Sequence, residues 1–242
     1  MYLHINKPYG TLLHVSSYQL PEFFEAVFFD MDGLFVDSEP VWLESEAEVT
    51  APFGYAWKDE DQVACLGGPL SRVGEYMFEK CNHVESPAFF TNTLIEIQTA
   101  KLRGKTPLMP GASELLHQLQ SQNIATGLVS ASPRNIVNAV LDNLGGNPFP
   151  FSISSDDVTN TKPHPDAYYL AAKKAGAEIS RCLVFEDSLT GVSAAKSSGA
   201  WVIAVPHLVF VPQEPRVRCI KSLTQISLNK LQALFKDFTT TI

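Results

Sequence analysis

The sequence of 242 residues is poor in basic residues and contains no long apolar run. Its 18 Lys and Arg residues are outnumbered by 26 Asp and Glu residues, which gives a formal net charge of -8. Binding to nucleic acid or to anionic lipid requires a basic surface, so we expect neither partner. No apolar stretch approaches the ~20 residues of a membrane helix, and the first twenty residues lack the pattern of a signal peptide. We therefore predict no membrane attachment.

Cysteine is scarce as well. Its four occurrences, Cys65, Cys81, Cys182 and Cys219, show neither C-x-x-C spacing nor the density of a disulfide scaffold. The histidines likewise show no metal-binding spacing. We expect reduced thiols and a cytoplasmic protein, with a monomer as the working expectation for its oligomeric state.

Five short apolar runs predict the strands of one sheet. Each run is too short for a buried helix, and unbroken rather than alternating hydrophobicity indicates a parallel sheet that is covered on both faces. Amphipathic segments closed by Gly145, Gly176 and Gly199 predict helices between the runs. The expected fold class is α/β, with a doubly wound, Rossmann-like parallel sheet. The runs are Ala26 to Phe29, Ile124 to Val129, Phe151 to Ile153, Cys182 to Phe185 and Trp201 to Val205.

One segment interrupts this alternation. After the first run no strand pattern occurs for almost seventy residues, and helix patterns beginning near Ser38, Val73 and Ser86 take its place. We therefore expect an inserted helical cap joined to the core by two chain crossings. The predicted domains are a Rossmann-like core of residues 1–37 and 107–242, in which residues 1–24 are an extension without assigned function, and a cap of residues 38–106.

Two aspartates end the first predicted strand, in Phe29-Asp30-Met31-Asp32-Gly33. Residues two apart on a strand share a face, so Asp30 and Asp32 can point together from the carboxyl edge of the sheet, where open α/β folds bind ligands. Gly33 permits a sharp turn directly afterwards. A pair of turn-forming carboxylates is the alternative interpretation of this motif.

A hydroxyl and a lysine follow later strands. Ser130 and Ala131 directly follow the second run, beside a predicted helix amino terminus where free N–H groups favour phosphate. Ser132 is expected to cap that helix, and a merely structural Ser130 is the alternative. Lys162 lies in Thr-Lys-Pro-His-Pro, where two prolines stiffen the loop and hold the ammonium in place. A solvated surface lysine is the alternative.

A second acidic pair, Glu186-Asp187, ends the fourth run. Adjacent carboxylates near Asp30 and Asp32 would repel one another unless a cation lay among them. Mg²⁺ fits because it takes oxygen ligands from carboxylates, a backbone carbonyl and a phosphate. A helix-start acidic pair stabilised by the helix dipole is the alternative.

The structural interpretations of these motifs become less convincing when the motifs are taken together. All the polar groups follow strand candidates and are therefore expected to lie at one edge of one sheet. A carboxylate nucleophile, a neighbouring acid or base, a hydroxyl, a cation and metal ligands are the groups that attack on a phosphate ester requires. The sequence therefore predicts a phosphoryl-transfer site.

The order and spelling of the motifs resemble the haloacid dehalogenase superfamily, in its branch with an α-helical cap after the first motif. The resemblance extends from about residue 28 to residue 204. It implies that Asp30 is the nucleophile forming an aspartyl-phosphate and that Asp32 is the general acid and base. It further implies that Ser130, Ala131 and Lys162 hold the phosphoryl group.

The resemblance also implies a magnesium site. Asp187 and Asp30, with the backbone carbonyl of Asp32, would bind Mg²⁺, and Glu186 would help directly or through water. A true dehalogenase does not use such a metal-dependent aspartate pair. We therefore predict a Mg²⁺-dependent phosphomonoesterase whose partner is a small phosphorylated metabolite.

Within this branch the motifs look most like those of deoxyhexose and hexitol phosphate phosphatases, so small sugar or polyol phosphates are the expected substrates. A β-phosphoglucomutase-like phosphotransferase is the alternative. The mutases usually carry a histidine where Trp42 stands and a lysine where Gly67 falls. From the cap, Trp42 and Arg72 are the candidate substrate contacts, and Arg72 is equally interpretable as a surface charge.

A signal-receiver domain is the third hypothesis, from a non-enzymatic class. Receivers also combine a phosphorylatable aspartate, a hydroxyl and a lysine at the edge of a parallel sheet. They are about half this length, lack a helical insert and place their metal-binding acids before the phosphorylated aspartate. Here Glu186 and Asp187 come late in the chain.

Overall fold

The computed structural model describes residues 23–104, 106–207 and 209–240. A six-stranded, wholly parallel sheet forms the core of these residues, with the strand order β3-β2-β1-β4-β5-β6. This order is that of a doubly wound sheet, and it confirms the predicted fold class. The strands are β1 Ala26–Phe29, β2 Ala125–Val129, β3 Ser152–Ile153, β4 Cys182–Glu186, β5 Trp201–Ala204 and β6 Val217–Cys219.

Nine helices accompany the sheet in the described part of the chain. Four follow β1 directly, and the others connect or flank the later strands. They are α1 Glu39–Thr50, α2 Asp59–Cys65, α3 Leu70–Lys80, α4 Pro87–Leu102, α5 Ala112–Ser121, α6 Arg134–Asn143, α7 Asp166–Ala175, α8 Leu189–Ser198 and α9 Leu228–Thr240.

Alternate strand residues pack into two apolar layers, one on each face of the sheet. Val27 and Phe29 of β1 lie in the layer covered by α5, α6 and α9. Ala26 and Phe28 lie in the layer covered by α7 and α8. Every residue of β1 is buried, which explains why its sequence is unbroken in hydrophobicity rather than alternating.

The insert after β1 consists of α1 to α4, and its described part contains no strand. Helix α4 packs against α1 and α3 within the insert and also against α6 of the core. The two chain crossings run side by side, with the Asp37 N–H donating to the Pro107 carbonyl at 2.9 Å. The inserted helical cap is thus present, while the proposed boundaries at residues 38 and 106 stay a prediction.

Four elements go beyond the sequence-based prediction, namely α2, α5, α9 and β6. Helix α2 has only seven residues and opens with three acidic ones, so it presents no apolar stripe. Strand β6 has three residues and contains Arg218, as an edge strand permits. Of the predicted extension, residues 1–24, all but the last two residues lie outside the described part of the chain.

Two further expectations bear on the environment of the chain. All four cysteines have free thiols, three of them buried and Cys219 partly exposed. Of the helices described, none is both long enough and apolar enough to cross a bilayer.

Candidate active site

Polar side chains project from the carboxyl edge of the sheet into a cleft beneath the cap. Asp30 and Asp32 follow β1, Ser130 follows β2, and Asp187 follows β4. These four residues and Lys162 line a cleft of about 80 Å³. The structure therefore brings the core residues predicted from separate motifs to one place, at the edge where open α/β sheets bind ligands.

Lys162 is the buried cation of this cleft, with a side chain only 2% exposed. Its ammonium donates to Asp30 Oδ1 at 2.6 Å, to Glu186 Oε1 at 2.6 Å and to the Val129 carbonyl oxygen at 2.8 Å. Burial alone would lower the pKa of Lys162, but the charges of Asp30 and Glu186 outweigh it and raise the pKa well above its usual value. The lysine therefore keeps its positive charge beside Asp30.

Three carboxylates cluster beside this cation, and two of them, Asp30 and Glu186, contact it. Asp30, Glu186 and Asp187 each offer an oxygen atom within 4.8 Å of the others. Burial raises the pKa of Asp30 and of Asp187 well above the usual range, and the neighbouring negative charges raise it further. One ammonium does not balance three carboxylates. An all-oxygen donor set with excess negative charge fits a hard divalent cation such as Mg²⁺.

Glu186 is completely buried, and both of its oxygens have protein partners. Oε1 accepts from Lys162 Nζ and from the Tyr168 hydroxyl, each at 2.6 Å. Oε2 accepts from the Asp187 N–H at 3.2 Å and from the Ser188 hydroxyl at 3.3 Å. These contacts orient the carboxylate toward Lys162, and a direct place for Glu186 among metal ligands stays a prediction.

The Asp32 carboxylate accepts hydrogen bonds from both domains. From the cap side, the Ser38 hydroxyl and the Trp42 indole N–H donate to Oδ1 at 2.8 and 3.1 Å. From the core, the hydroxyls of Ser132 and Ser130 donate to Oδ2 at 2.9 and 3.3 Å. Four donors fix the orientation of this carboxylate, and two of them tie the cap to the core.

The expectation that Ser132 caps the following helix is wrong. Helix α6 begins at Arg134, and Pro133 occupies its N-cap position without a side-chain hydrogen bond. The Ser132 hydroxyl instead donates to Asp32. Ser38 behaves in the same way at α1: it occupies the N-cap position without a side-chain capping hydrogen bond, and its hydroxyl donates to the Asp32 carboxylate, a charged acceptor.

The predicted phosphate-binding residues Ser130 and Ala131 both line the cleft. Ser130 is 2% exposed, and its hydroxyl oxygen accepts the Ser132 N–H at 3.0 Å. The hydroxyl is thereby held at the end of β2, beside Asp32. A role for these two residues in holding phosphate stays a prediction.

Two glycines make room for the acidic residues. A Cβ at Gly33, where φ is +76°, would lie 2.4 Å from Asp187 Oδ2. A Cβ at Gly191, in the first turn of α8, would lie 1.9 Å from Glu186 Oε1. Any larger side chain at either position would displace a carboxylate of the cluster.

Tyr168 is a site residue that the sequence patterns did not identify. It is fully buried on α7, its hydroxyl donates to Glu186, and Lys162 Nζ lies 5.1 Å from the centre of its ring. Burial, with the charge of Glu186, raises the pKa of Tyr168 well above its usual value, so the hydroxyl remains a donor. Its only sequence signal is a position six residues after Lys162, on the apolar face of a helix, where a tyrosine is indistinguishable from a core aromatic.

The cap side of the cleft is formed mainly by α1 and α2. Trp42, Glu39 and Glu46 of α1 line it together with Gln62 of α2. The Gln62 amide donates to Glu39 Oε2 at 3.0 Å, and the Trp57 indole donates to Glu46 Oε2 at 2.8 Å. Trp42 thus lines the cleft, and a contact between Trp42 and substrate stays a prediction.

Arg72, the second predicted cap contact, is directed into the cap backbone. Its guanidinium donates to the carbonyl oxygens of Ala64 at 2.7 Å, Cys65 at 3.0 Å, Leu66 at 3.3 Å and Gly67 at 2.8 Å. It therefore closes the end of α2 and holds the glycine loop that follows. A substrate contact by Arg72 stays a prediction, and in this arrangement both of its terminal nitrogens donate to backbone carbonyls.

Replacing Tyr168 by phenylalanine removes a donor to a buried carboxylate without changing the shape of the side chain. We expect Tyr168→Phe to lower the free energy of unfolding by about 1.5 to 3 kcal/mol, the range for hydrogen bonds to charged groups. The neighbouring Tyr169 is 46% exposed, and its hydroxyl donates weakly to a backbone carbonyl at 3.4 Å. Urea unfolding of Tyr169→Phe should show a change below about 0.5 kcal/mol. Equal effects in both variants would contradict the importance of the Tyr168 hydroxyl.

Comparison with known sequences identifies the family. The profile of the haloacid dehalogenase-like hydrolases matches residues 27–205. Hexitol phosphatase B of Escherichia coli K12 is 30% identical over 184 residues, which cover 75% of this chain and 83% of that protein. The phosphorylated carbohydrates phosphatase of Thermotoga maritima is 29% identical over 176 residues, 72% and 82% of the two chains. These relatives exclude the receiver hypothesis.

Solved structures share the fold. A β-phosphoglucomutase from Clostridium difficile superposes with a TM-score of 0.79 at 22% identity, covering 90% of this chain and all of that one. The phosphate complex of CbbY from Rhodobacter sphaeroides gives 0.74 at 23% identity, covering 86% and 99%. Since the family profile spans well over half of the sequence and the relatives include named phosphatases, the chain belongs to the haloacid dehalogenase-like hydrolase family as an enzyme of the phosphatase type.

Proposed function

We propose that the protein is a Mg²⁺-dependent phosphomonoesterase that hydrolyses small sugar or polyol phosphates through an aspartyl-phosphate at Asp30. The observation that carries the proposal is the geometry around Lys162, whose ammonium lies 2.6 Å from Asp30 Oδ1 at the bottom of the cleft. A carboxylate cannot approach a phosphate dianion unless positive charge neutralises part of the repulsion. Lys162 supplies that charge beside the nucleophile.

The remaining core groups have complementary roles in the proposed reaction. Asp30 attacks phosphorus, while Lys162, the Ser130 hydroxyl and the backbone at Ala131 hold the phosphoryl oxygens. Asp32 gives a proton to the leaving alcohol and then takes one from the water that attacks the aspartyl-phosphate. Its four hydrogen-bond donors keep the carboxylate in position for both steps.

The magnesium ion in this proposal would be held by Asp30, Asp187 and the Asp32 carbonyl, with Glu186 directly or through water. It would supply further positive charge to the phosphoryl oxygens. The support is the cluster of three buried carboxylates facing a single ammonium. Asp187 directly precedes Ser188, the N-cap of α8, and its carboxylate lies so close to Gly33 that a Cβ there would be 2.4 Å from Oδ2.

The substrate class rests on the relatives, and the size of the cleft bears on how substrate enters. A volume of about 80 Å³ is well below the ~300 Å³ of ordinary ligand pockets, and we therefore infer that the cap moves away from the core when substrate enters. Hexitol phosphatase B and the phosphorylated carbohydrates phosphatase are named for sugar or polyol phosphates. We extend that class to this chain.

Asp30→Asn tests the nucleophile. The amide is isosteric but cannot form the covalent intermediate, so we expect kcat to fall at least about a thousandfold. Initial rates of phosphate release from glucitol 6-phosphate would be compared with those of Asp142→Asn, an exposed aspartate on α6 that should leave the rate unchanged. Activity of Asp30→Asn within about tenfold of the parent would remove Asp30 from this role.

Asp187→Asn tests the metal site. Losing one negative ligand should raise the Mg²⁺ concentration needed for half-maximal activity at least about tenfold. In thermal unfolding without substrate, Mg²⁺ should raise the Tm of the parent and raise it much less in the variant. Full activity of the parent in excess EDTA would contradict the proposed metal dependence.

Hydrolysis is proposed in preference to mutase chemistry because the described cap wall of the cleft carries no cation. A mutase must hold a bisphosphate by its distal phosphate, which requires a cation in the cap. Here Arg72 donates to backbone carbonyls instead, and Gly67 stands where the mutases usually carry a lysine. Losing a charged contact weakens such a hold by about 1.5 to 3 kcal/mol, roughly ten- to a hundredfold.

β-Glucose 1-phosphate with a trace of the 1,6-bisphosphate separates the two activities. We expect free phosphate to appear faster than glucose 6-phosphate when both products are followed together. Accumulation of glucose 6-phosphate well ahead of free phosphate would establish the mutase alternative.

A further inference from the structure

Helix α1 presents one stripe of three side chains to the cleft. Glu39, Trp42 and Glu46 are spaced i, i+3 and i+7, which places them on one face of a helix. With a rise of 1.5 Å per residue, Glu46 lies about 6 Å beyond Trp42 along the helix axis. Trp42 donates to Asp32, so Glu46 lies about one helical turn farther along α1 than this contact with the core.

Both acids of this stripe lack a cationic partner among the described residues. Glu46 is only 4% exposed, and its one side-chain hydrogen bond comes from the neutral Trp57 indole. Glu39 accepts from the neutral Gln62 amide. Among the residues that line the cleft, Lys162 alone is basic, and its three donors are directed to core acceptors.

Burial makes the charged form of these two carboxyl groups unfavourable. It raises the pKa of Glu46 to about 8 and that of Glu39 to about 7, with neighbouring acids adding to the shift. A buried acid with a shifted pKa that lines a cleft is a candidate functional residue. The proposed chemistry at Asp30 does not use either glutamate.

We propose that Glu46, assisted by Glu39, is a specificity-determining residue that binds hydroxyl groups of the substrate body and disfavours a second anionic group there. This inference rests on the proposed function and narrows it to monophosphates with an uncharged, hydroxyl-bearing body. Carboxyl groups accept hydrogen bonds from hydroxyls well, whereas another carboxylate or phosphate against them meets repulsion without a compensating cation.

The other cap residues that line the cleft also suit an uncharged, hydroxyl-bearing substrate. Trp42, Leu66, Leu70 and Val73 also line the cleft and offer apolar surface to the C–H faces of a sugar or alditol. The guanidinium of Arg72 is held by backbone carbonyls and so gives no positive charge to this wall. Acidic and apolar groups together therefore face the end of the substrate that is remote from phosphorus.

A matched pair of esters tests the inference. Glucitol 6-phosphate and 6-phosphogluconate have the same carbon skeleton, but the second carries a carboxylate at the end remote from phosphorus. At about pH 8.5, we expect the parent enzyme to favour glucitol 6-phosphate in kcat/KM by at least tenfold. Glu46→Gln, which keeps the size of the side chain and an acceptor for Trp57, should reduce that preference at least fivefold.

Glu48→Gln is the control, because Glu48 lies on the same helix, is exposed and pairs with Lys101 at 3.1 Å. It should keep the preference of the parent enzyme. A merely structural Glu46 would lower both kcat/KM values in parallel and leave their ratio unchanged, which would overturn the inference.

The substrates also separate this inference from the proposed function. Equal use of both esters by the parent enzyme would overturn the inference and leave sugar phosphate hydrolysis standing. Turnover of p-nitrophenyl phosphate without turnover of either ester would overturn the proposed substrate class, and the inference with it.

Discussion

The ammonium of Lys162 is the interaction on which the site depends. It is buried among Asp30, Glu186 and the Val129 carbonyl, and it is the only basic group among the residues that line the cleft. Without it, several carboxylates would be desolvated side by side with no opposite charge, an arrangement that proteins avoid. Its partner Glu186 in turn determines which residues can lie nearby. A tyrosine hydroxyl donates to this carboxylate, and a glycine stands where α8 passes it.

The parallel sheet makes this concentration of charge possible. Strands that run in one direction end at one edge, so side chains from distant parts of the sequence meet there without long loops. The cap is then attached to the same point, because Ser38 and Trp42 both donate to Asp32. A shift of the cap would therefore change the hydrogen bonds of the proposed acid and base directly.

Sequence patterns predict the parts of the site that follow strands, since a buried strand and its end are visible in a single apolar run. Asp30, Asp32, Ser130 and Asp187 were found in this way. Tyr168 was not, because its hydroxyl contact depends on how α7 packs against β4, which helical periodicity does not reveal. The hydrogen bond of Ser132 to Asp32 joins positions 100 residues apart, so local capping rules gave the wrong partner.

The covalent step at Asp30 is the central claim, and chemical trapping tests it most directly. Enzyme turning over glucitol 6-phosphate would be quenched with acid, reduced with borohydride and digested, and the peptide containing Asp30 examined by mass spectrometry. An aspartyl-phosphate predicts reduction of Asp30 to homoserine, in a yield that depends on substrate. Unmodified Asp30 during rapid turnover, or reduction at a different carboxylate, would contradict the account.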